Sequence, residues 1–256
     1  MLKAIISLRK AILSFLPRRK YPLLGKLFKN IFIFFSPSKV NVNGFEIFTY
    51  PREAPDFTSG EYEKKETEIF KKTVESNWVV LDGGANWGVH TITLSKLAKE
   101  VWAFEPSKKN FSLLEKNIEY NKCKNIKAIN KALSEKTGIA MLEVSESAGS
   151  YKIGNKGKLE KIETVRGDEL NQNFDFIKLD IEGHELEALR GMENLLKEKP
   201  VLVVEYNPSI LESPADFLDF LTGLGYRFFD IKADRNTTAK RLLEDYIDTH
   251  TNLLCK

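Results

Sequence analysis

One stretch of ten residues, residues 79–88, limits more than any other what this chain can fold into. It begins with the apolar run Val-Val-Leu, passes through an aspartate into Gly-Gly-Ala-Asn-Trp-Gly, and leads into a helical pattern. A buried strand that ends in a glycine turn and opens a helix is typical of a parallel α/β sheet. A second apolar strand, residues 101–104, ends in Glu105. That acid lies about twenty residues after the turn, where nucleotide-binding sheets place a ribose-binding carboxylate.

The composition of the turn favours one class of cofactor. Its spacing, starting at Asp82, is D-x-G-x-x-x-G and not the G-x-G-x-x-G that seats a pyrophosphate on a helix N-terminus. A phosphate would be repelled by the aspartate, whereas S-adenosylmethionine has no phosphate and carries a sulfonium and an ammonium group. Glycine lets the backbone approach a ligand closely, and the Glu105 carboxylate has acceptors for both ribose hydroxyls. We therefore predict S-adenosylmethionine as the cofactor, with these ligands: Asp82, Gly83, Gly84, Asn86, Gly88 and Glu105. For the glycines alone, a purely structural strand-to-helix turn is the alternative.

Composition and charge argue against several other classes of protein. The 256 residues are 42% hydrophobic, enough for one sizeable α/β core. Cys123 and Cys255 form no C-x-x-C pair, so we expect neither a disulfide framework nor a zinc site, and a reducing compartment. The net charge is +3, but residues 1–40 contain nine Lys and Arg and no acid. The rest of the chain is therefore net acidic, and we expect it not to bind nucleic acid.

The first 40 residues predict a basic amphipathic helical extension. Residues 2–16 place Lys3, Ser7, Lys10 and Ser14 on one helical stripe among apolar side chains. No apolar stretch approaches the roughly 18 residues that a membrane span needs. Two interpretations stay open: residues 1–35 lie in a membrane interface, or these helices pack on the catalytic domain or a second subunit. We expect a cytoplasmic protein, with the first interpretation placing it at the inner face of the membrane.

Residues 41–256 predict a single domain with a doubly wound, mostly parallel sheet. Apolar runs predict six strands that mostly alternate with helical segments, which is the pattern typical of such a sheet. The strands are residues 79–82, 101–105, 126–130, 174–180, 201–205 and 226–231. Between the third and fourth of them, turn signals around residues 139–144 and 160–165 predict an inserted β-hairpin.

The fourth strand carries a recognisable motif. Residues 176–185 read Phe-Ile-Lys-Leu-Asp-Ile-Glu-Gly-His-Glu, which contains K-x-D-x-E-G-x-E. Together with residues 82–88 and Phe104-Glu105-Pro106, this motif closely resembles the FkbM family of S-adenosylmethionine-dependent methyltransferases, from about residue 40 to Leu254. The resemblance implies a class I Rossmann-like methyltransferase fold that acts on a hydroxyl of a sugar or a polyketide-like natural product. It also covers Ala132-Leu133-Ser134, which adds Ser134 to the predicted cofactor ligands.

Three residues of this motif are the predicted catalytic set. Methyl transfer is an in-line displacement in which the enzyme holds the acceptor oxygen and receives its proton. Asp180, at the end of the fourth strand, is the predicted proton acceptor; the alternative is that it caps the next helix or orients the donor. Glu182 shares the proton or binds the acceptor, and Lys178 pairs with a carboxylate because an unpaired buried ammonium is costly. We interpret His184 and His90 as ordinary structural residues, and no spacing is diagnostic of a metal site.

These observations predict an S-adenosylmethionine-dependent O-methyltransferase whose acceptor is a sugar, glycan or glycolipid hydroxyl. One alternative is a non-catalytic S-adenosylmethionine-binding or scaffold protein recruited through its N-terminus. A second is an NAD-dependent oxidoreductase, which the missing G-x-G-x-x-G disfavours. A nucleic-acid amino-methyltransferase is disfavoured too, because the fourth strand ends in Leu-Asp-Ile-Glu-Gly and not in Asn/Asp-Pro-Pro-Tyr. The sequence does not fix an oligomeric state.

Overall fold

The computed structural model describes residues 39–50, 63–144 and 151–256. The chain divides into two units, Met1–Tyr62 and Glu63–Lys256. The described part of the first is an antiparallel hairpin of β1 (Lys39–Val42) and β2 (Phe45–Phe48). Its turn is Asn43-Gly44, both at positive φ, as a two-residue hairpin turn requires. Strand β1 starts inside the segment predicted as a helical extension. The helix of residues 2–16 and the membrane contact of residues 1–35 lie outside the described residues and stay predictions.

The second unit contains the remaining elements. Its strands are β3 (Val79–Gly83), β4 (Glu100–Phe104), β5 (Ile126–Ile129), β6 (Ala132–Leu133), β7 (Gly138–Glu143), β8 (Lys152–Ile153), β9 (Leu159–Val165), β10 (Phe176–Leu179), β11 (Val201–Tyr206), β12 (Phe228–Asp230), β13 (Arg235–Thr237) and β14 (Thr251–Cys255). Its helices are α1 (Lys64–Thr73), α2 (Val89–Ser95), α3 (Lys108–Tyr120), α4 (Glu185–Arg190), α5 (Glu193–Lys197), α6 (Pro214–Gly223) and α7 (Ala239–Asp245). No helix within these described ranges combines the length and apolar character that crossing a membrane requires.

Eight strands form the central sheet, in the order β13-β12-β14-β11-β10-β3-β4-β5. The five strands from β11 to β5 are parallel, while β14 runs antiparallel to both β11 and β12. All six predicted strands are present, and the predicted α/β, mostly parallel, doubly wound fold is confirmed. The sequence analysis did not identify β13 or the antiparallel β14.

The predicted inserted hairpin is present and is part of a larger structure. Strands β7 and β9 pair antiparallel, with Ala140 opposite Ile162. Strand β8 adds to β7, and β6 pairs parallel with β9, which gives a separate four-stranded sheet. Leu142 and Ile162 lie in a small core of its own. The serine-rich tip, residues 145–150, lies outside the described residues.

The central sheet is buried on both faces, as expected for parallel strands. One face packs Leu81, Ile177 and Val204 into a core with side chains of α4 and α6. The other face packs Val80, Phe176 and Val203 against α1 and α2. Both cores meet on β3 and β10, the two neighbouring strands whose ends carry the predicted site.

The turn after β3 packs directly against the end of β10. Gly84 has φ +77°, and its N–H donates to the Phe104 carbonyl at 3.0 Å. A Cβ at this position would lie 1.8 Å from the backbone oxygen of Asp180. Only a residue without a side chain allows this approach, so Gly84 fixes how closely the turn and the Asp180 loop lie together.

We expect Gly84→Ala to lower the free energy of unfolding by about 3 kcal/mol or more, because it adds both left-handed backbone strain and overlap with backbone. Urea unfolding followed by circular dichroism measures the change. Gly138→Ala is the matched control, since a Cβ there meets no atom within 4 Å. Equal stability of the two variants would contradict the expectation.

Candidate active site

The predicted site lies where the direction of chain winding reverses in the sheet. From β3 the chain continues to β4 on one side, and from β10 it continues to β11 on the other. In open α/β sheets a ligand crevice forms beyond the carboxyl ends of such a strand pair. The glycine turn follows β3, Glu105 follows β4, and Asp180 follows β10.

Contacts within the protein itself crowd three glycines of the turn. A Cβ at Gly83 would lie 2.7 Å from the Leu179 side chain, and one at Gly88 would lie 2.7 Å from Leu114. Gly84 approaches Asp180, as described above. The sequence analysis attributed these glycines to the approach of a ligand, whereas the structure gives each of them a packing reason. Their contact with the cofactor stays a prediction.

Glu105 is joined to the glycine turn by backbone hydrogen bonds. Its Oε2 accepts from the Asn86 N–H and its Oε1 from the Ser107 N–H, both at 2.9 Å. Burial raises the pKa of Glu105 to about 7, against the lowering effect of these two N–H groups, and the charge of Asp82 raises it further. The residue therefore titrates near neutral pH, so its acceptor capacity depends on pH across that range.

The region around Glu105 and Asn86 contains buried hydrogen-bond acceptors that can accept further hydrogen bonds. Each carboxylate oxygen of Glu105 takes one N–H and keeps a further lone pair. The Oδ1 atom of Asn86 is buried and has no hydrogen-bond partner within the described residues. Buried acceptors of this kind suit a ligand that offers hydroxyl and ammonium donors, and they do not suit a phosphate. The residues therefore fit S-adenosylmethionine.

Lys178 links the two central strands through carboxylates on both sides. It is buried, and its Nζ lies 3.5 Å from Asp82 Oδ1 and 3.6 Å from Asp180 Oδ2. Burial alone would lower the pKa of Lys178, but the charges of Asp180 and Asp82 together raise it above its ordinary value, so the ammonium stays charged. The sequence analysis expected one carboxylate partner for this buried lysine, and the structure shows two, Asp82 and Asp180.

Asp82 is enclosed by protein. Its side chain is fully buried, and its Oδ2 accepts a 2.6 Å hydrogen bond from the Thr91 hydroxyl of α2. The sequence analysis predicted Asp82 as a cofactor ligand, and that contact stays a prediction. Thr91 was not predicted, because nothing in a linear sequence distinguishes a hydroxyl that reaches Asp82 from other threonines on the same helix.

The other half of the crevice is a cluster of carboxyl groups, which we call the acidic cluster: Asp180, Glu182, Glu185 and Glu205. Burial raises the pKa of Glu182 to about 8 and that of Glu205 to about 9, and in both cases the charge of Asp180 adds to the effect. Both groups therefore hold protons at neutral pH. Glu185 has a different function, since its Oε1 accepts from the Ile181 and Gly183 N–H groups and so shapes the loop after Asp180.

Ser134 and the two histidines show further contacts near these strands. The Ser134 hydroxyl lies 2.9 Å from His184 Nε2, and His184 Nδ1 lies 3.5 Å from Glu187. Burial lowers the pKa of His184, which the Glu187 charge opposes. His184 thus ties Ser134, a predicted cofactor ligand, to the loop after Asp180. His90 bonds Glu63 and packs edge-on against Phe70, which agrees with its interpretation as a packing residue. Within the described residues, no group of three or more His, Cys, Asp or Glu side chains is arranged to hold a metal ion.

Comparison with known proteins decides the family. Residues 82–228 match the methyltransferase FkbM domain. The chain belongs to this family. The matched range contains every residue predicted for the site, and it is shorter than the extent from residue 40 to Leu254 that the resemblance suggested. The predicted family is confirmed.

The chain is also similar to individual proteins. The chain is 31% identical over 161 residues to the hexuronic acid methyltransferase AglP of Haloferax volcanii, a match over 60% of this chain and 65% of that protein, just under two thirds of its length. The ribosomal protein L11 methylase of Lactobacillus delbrueckii subsp. bulgaricus shares the fold at 13% identity, with a TM-score of 0.50 over 77% of this chain and 78% of that one. The FkbM methyltransferase of Methylobacillus flagellatus KT is 19% identical, with a TM-score of 0.49 over 80% and 54% of the two chains.

We expect the buried carboxyl of Glu185 to make folding stability depend on pH. Burial raises the pKa of Glu185 from 4.5 to about 7, so stability at this group is lost as the pH rises through that interval. Glu185→Gln keeps an acceptor oxygen for the loop and removes the charge. It should stabilise the protein by about 1 to 3 kcal/mol at pH 8 and have a small effect at pH 5.

Urea unfolding at the two pH values measures this dependence. Glu193→Gln is the matched control, because Glu193 begins α5 as Glu185 begins α4, but is exposed. An effect of Glu185→Gln that is the same at pH 5 and pH 8 would contradict the assignment.

Proposed function

We propose that this protein transfers a methyl group from S-adenosylmethionine to a hydroxyl of a sugar, glycan or glycolipid acceptor. The observation that carries the proposal is the position of Asp180. It directly follows β10 beside the glycine turn, and the ammonium of Lys178 lies 3.6 Å from its carboxylate. The name of the Haloferax volcanii relative, a hexuronic acid methyltransferase, supports a sugar-type acceptor.

In this proposal the glycine turn and Glu105 hold the cofactor. Glu105 accepts hydrogen bonds from the ribose hydroxyls, and Asn86 Oδ1 accepts from a further donor. When bound there, S-adenosylmethionine supplies an electrophilic methyl group. The two strand ends then place the acceptor half of the crevice next to the cofactor half, which is the proximity that a displacement at carbon needs.

The acidic cluster binds the acceptor and receives its proton. Asp180 is about a quarter exposed, with 28% of its side-chain surface accessible, so an acceptor hydroxyl can reach it. Lys178 stabilises the anionic form of Asp180 before the reaction. Glu182 and Glu205 are protonated near neutral pH and therefore donate hydrogen bonds to sugar oxygens. These two protonated carboxyls suit an acceptor rich in hydrogen-bond acceptor oxygens.

Calorimetric titration with S-adenosylhomocysteine tests the cofactor site. Because the ionised form of Glu105 is the better acceptor and its pKa is about 7, affinity should increase as the pH rises from 5.5 to 8.5. Glu105→Gln should weaken binding about ten- to a hundredfold at pH 8, since a hydrogen bond to a charged group contributes roughly 1.5–3 kcal/mol, and should flatten the pH dependence.

Glu119→Gln serves as the control for this titration. Glu119 is an exposed glutamate of α3, and it is not a predicted ligand. Wild-type affinity in Glu105→Gln would remove Glu105 from the site. Heat released with NAD and not with S-adenosylhomocysteine would support the oxidoreductase alternative instead.

Transfer of tritiated methyl groups tests the reaction. The acceptors are p-nitrophenyl β-D-glucoside, p-nitrophenyl β-D-glucuronide and fractionated cell extract. Asp180→Asn should lower transfer about 10²- to 10⁴-fold, the usual contribution of general base catalysis, while S-adenosylhomocysteine still binds. Asp219→Asn, an exposed position on α6, should behave as wild type.

Label in a glycan or lipid-linked fraction is the expected result. Label confined to protein or nucleic acid would refute the acceptor class. A protein that binds the cofactor and labels no fraction would favour the scaffold alternative.

A further inference from the structure

We infer that Thr91 and Asp82 are positioning residues that set the charge of Asp180 through Lys178. Thr91, Asp82 and Lys178 act on Asp180 through contacts with one another, and none of them needs to touch a substrate to do so. The inference rests on the proposed function only for what Asp180 does in the reaction. The charge of Asp180 itself can be measured without any substrate.

The four groups form one line of contacts across three elements. Thr91 is fully buried on α2 and donates to Asp82 Oδ2 at 2.6 Å. Asp82 and Lys178 are direct neighbours in the register of β3 and β10, so their side chains leave the sheet on the same face. The ammonium of Lys178 then lies 3.5 Å from Asp82 and 3.6 Å from Asp180.

Lys178 is shared almost equally by two carboxylates. Both distances exceed an ordinary hydrogen bond, and the Oδ1 atom of Asp82 has no hydrogen-bond partner among the described residues. A buried carboxylate needs donors, and Asp82 receives one from Thr91. How strongly Asp82 attracts Lys178 therefore depends on the Thr91 hydroxyl.

Loss of the Thr91 hydroxyl should move the Lys178 ammonium away from Asp180 and toward Asp82. Asp82 would have the lysine as its remaining donor and would draw Nζ toward itself. Asp180 would then lose part of its cationic support, and its anionic form would become less favourable. Thr91 thus affects the proton acceptor without contacting it.

Titratable groups from several elements surround Lys178 and Asp180. Glu182 and His184 lie on the loop after Asp180, Glu185 begins α4, Glu205 lies near the end of β11, and Glu63 precedes α1 and acts on both Lys178 and Glu182. An ionised carboxyl disfavours a further anion beside it. Since Lys178 is the cation that the described residues place within ion-pair distance of Asp180, small changes in its position matter.

Carbon-13 NMR of protein labelled at the aspartate carboxyl carbons tests the inference. The Asp180→Asn variant identifies the Asp180 resonance, and titration from pH 3 to 9 gives its pKa. Thr91→Val should raise this pKa by about 0.5 to 1 pH unit, part of the effect that a neighbouring cation has on an aspartate. Thr91→Ser restores the hydroxyl and should restore the wild-type value.

Thr93→Val is the matched control. Thr93 is a buried threonine of the same helix, and its hydroxyl donates to the Val89 carbonyl instead of a carboxylate. An unchanged Asp180 pKa in Thr91→Val, or an equal change in Thr93→Val, would overturn the inference.

A second variant, Asp82→Asn, should change the pKa of Asp180 in the opposite direction. It also tests the inference if Thr91→Val does not fold. Asp82→Asn removes the competing charge and leaves Lys178 to Asp180, so the pKa of Asp180 should fall. A rise or no change would overturn the inference. Because no substrate is involved, the result stands independently of whether methyl transfer to a sugar is found.

Discussion

A single buried ammonium, that of Lys178, connects the two strands on which the rest of this fold is arranged. Placing a charge inside a sheet is costly unless partners satisfy it, and here the partners are a fully buried aspartate on β3 and a partly exposed one after β10. The arrangement requires β3 and β10 to be neighbours in this register, and it requires α2 to present Thr91 to Asp82. The close approach of Gly84 to Asp180 keeps the same two strand ends together.

The side chains beyond these strand ends form two chemically different groups. Around Glu105, backbone N–H groups bind the carboxylate and leave acceptors available, which suits a ligand rich in hydroxyl and ammonium donors. In the acidic cluster, burial and the charge of Asp180 raise the pKa values of Glu182 and Glu205, so these two groups hold protons and act as donors. Burial raises the pKa of all three groups, and the difference arises from hydrogen-bond donors. Two backbone N–H groups lower the pKa of Glu105, whereas Glu182 and Glu205 have fewer donors to stabilise a charge.

Local sequence patterns predicted correctly those strands and turns whose structure is defined by a single continuous segment of the chain. The six strands found from apolar runs are all present, and the turn after Val79-Val80-Leu81 has the predicted strand-to-helix geometry. Strand β14 was missed because its place between β11 and β12 comes from antiparallel pairing with residues far away in sequence. The inserted hairpin was found from its turns, but β6 and β8 are two-residue strands that pairing alone defines.

By itself the sequence determined the type of sheet, its six main strands, the acids at their ends, and the family, because each follows from local pattern and motif. Tertiary structure decided what those residues do to one another. It placed Lys178 between Asp82 and Asp180, brought Thr91 and His184 into contact with predicted site residues, and gave the glycines packing partners from other elements. It also shifted the pKa values of Glu105, Glu182 and Glu205. A pKa depends on burial and on charges that approach from distant parts of the chain, and neither quantity exists until the chain has folded.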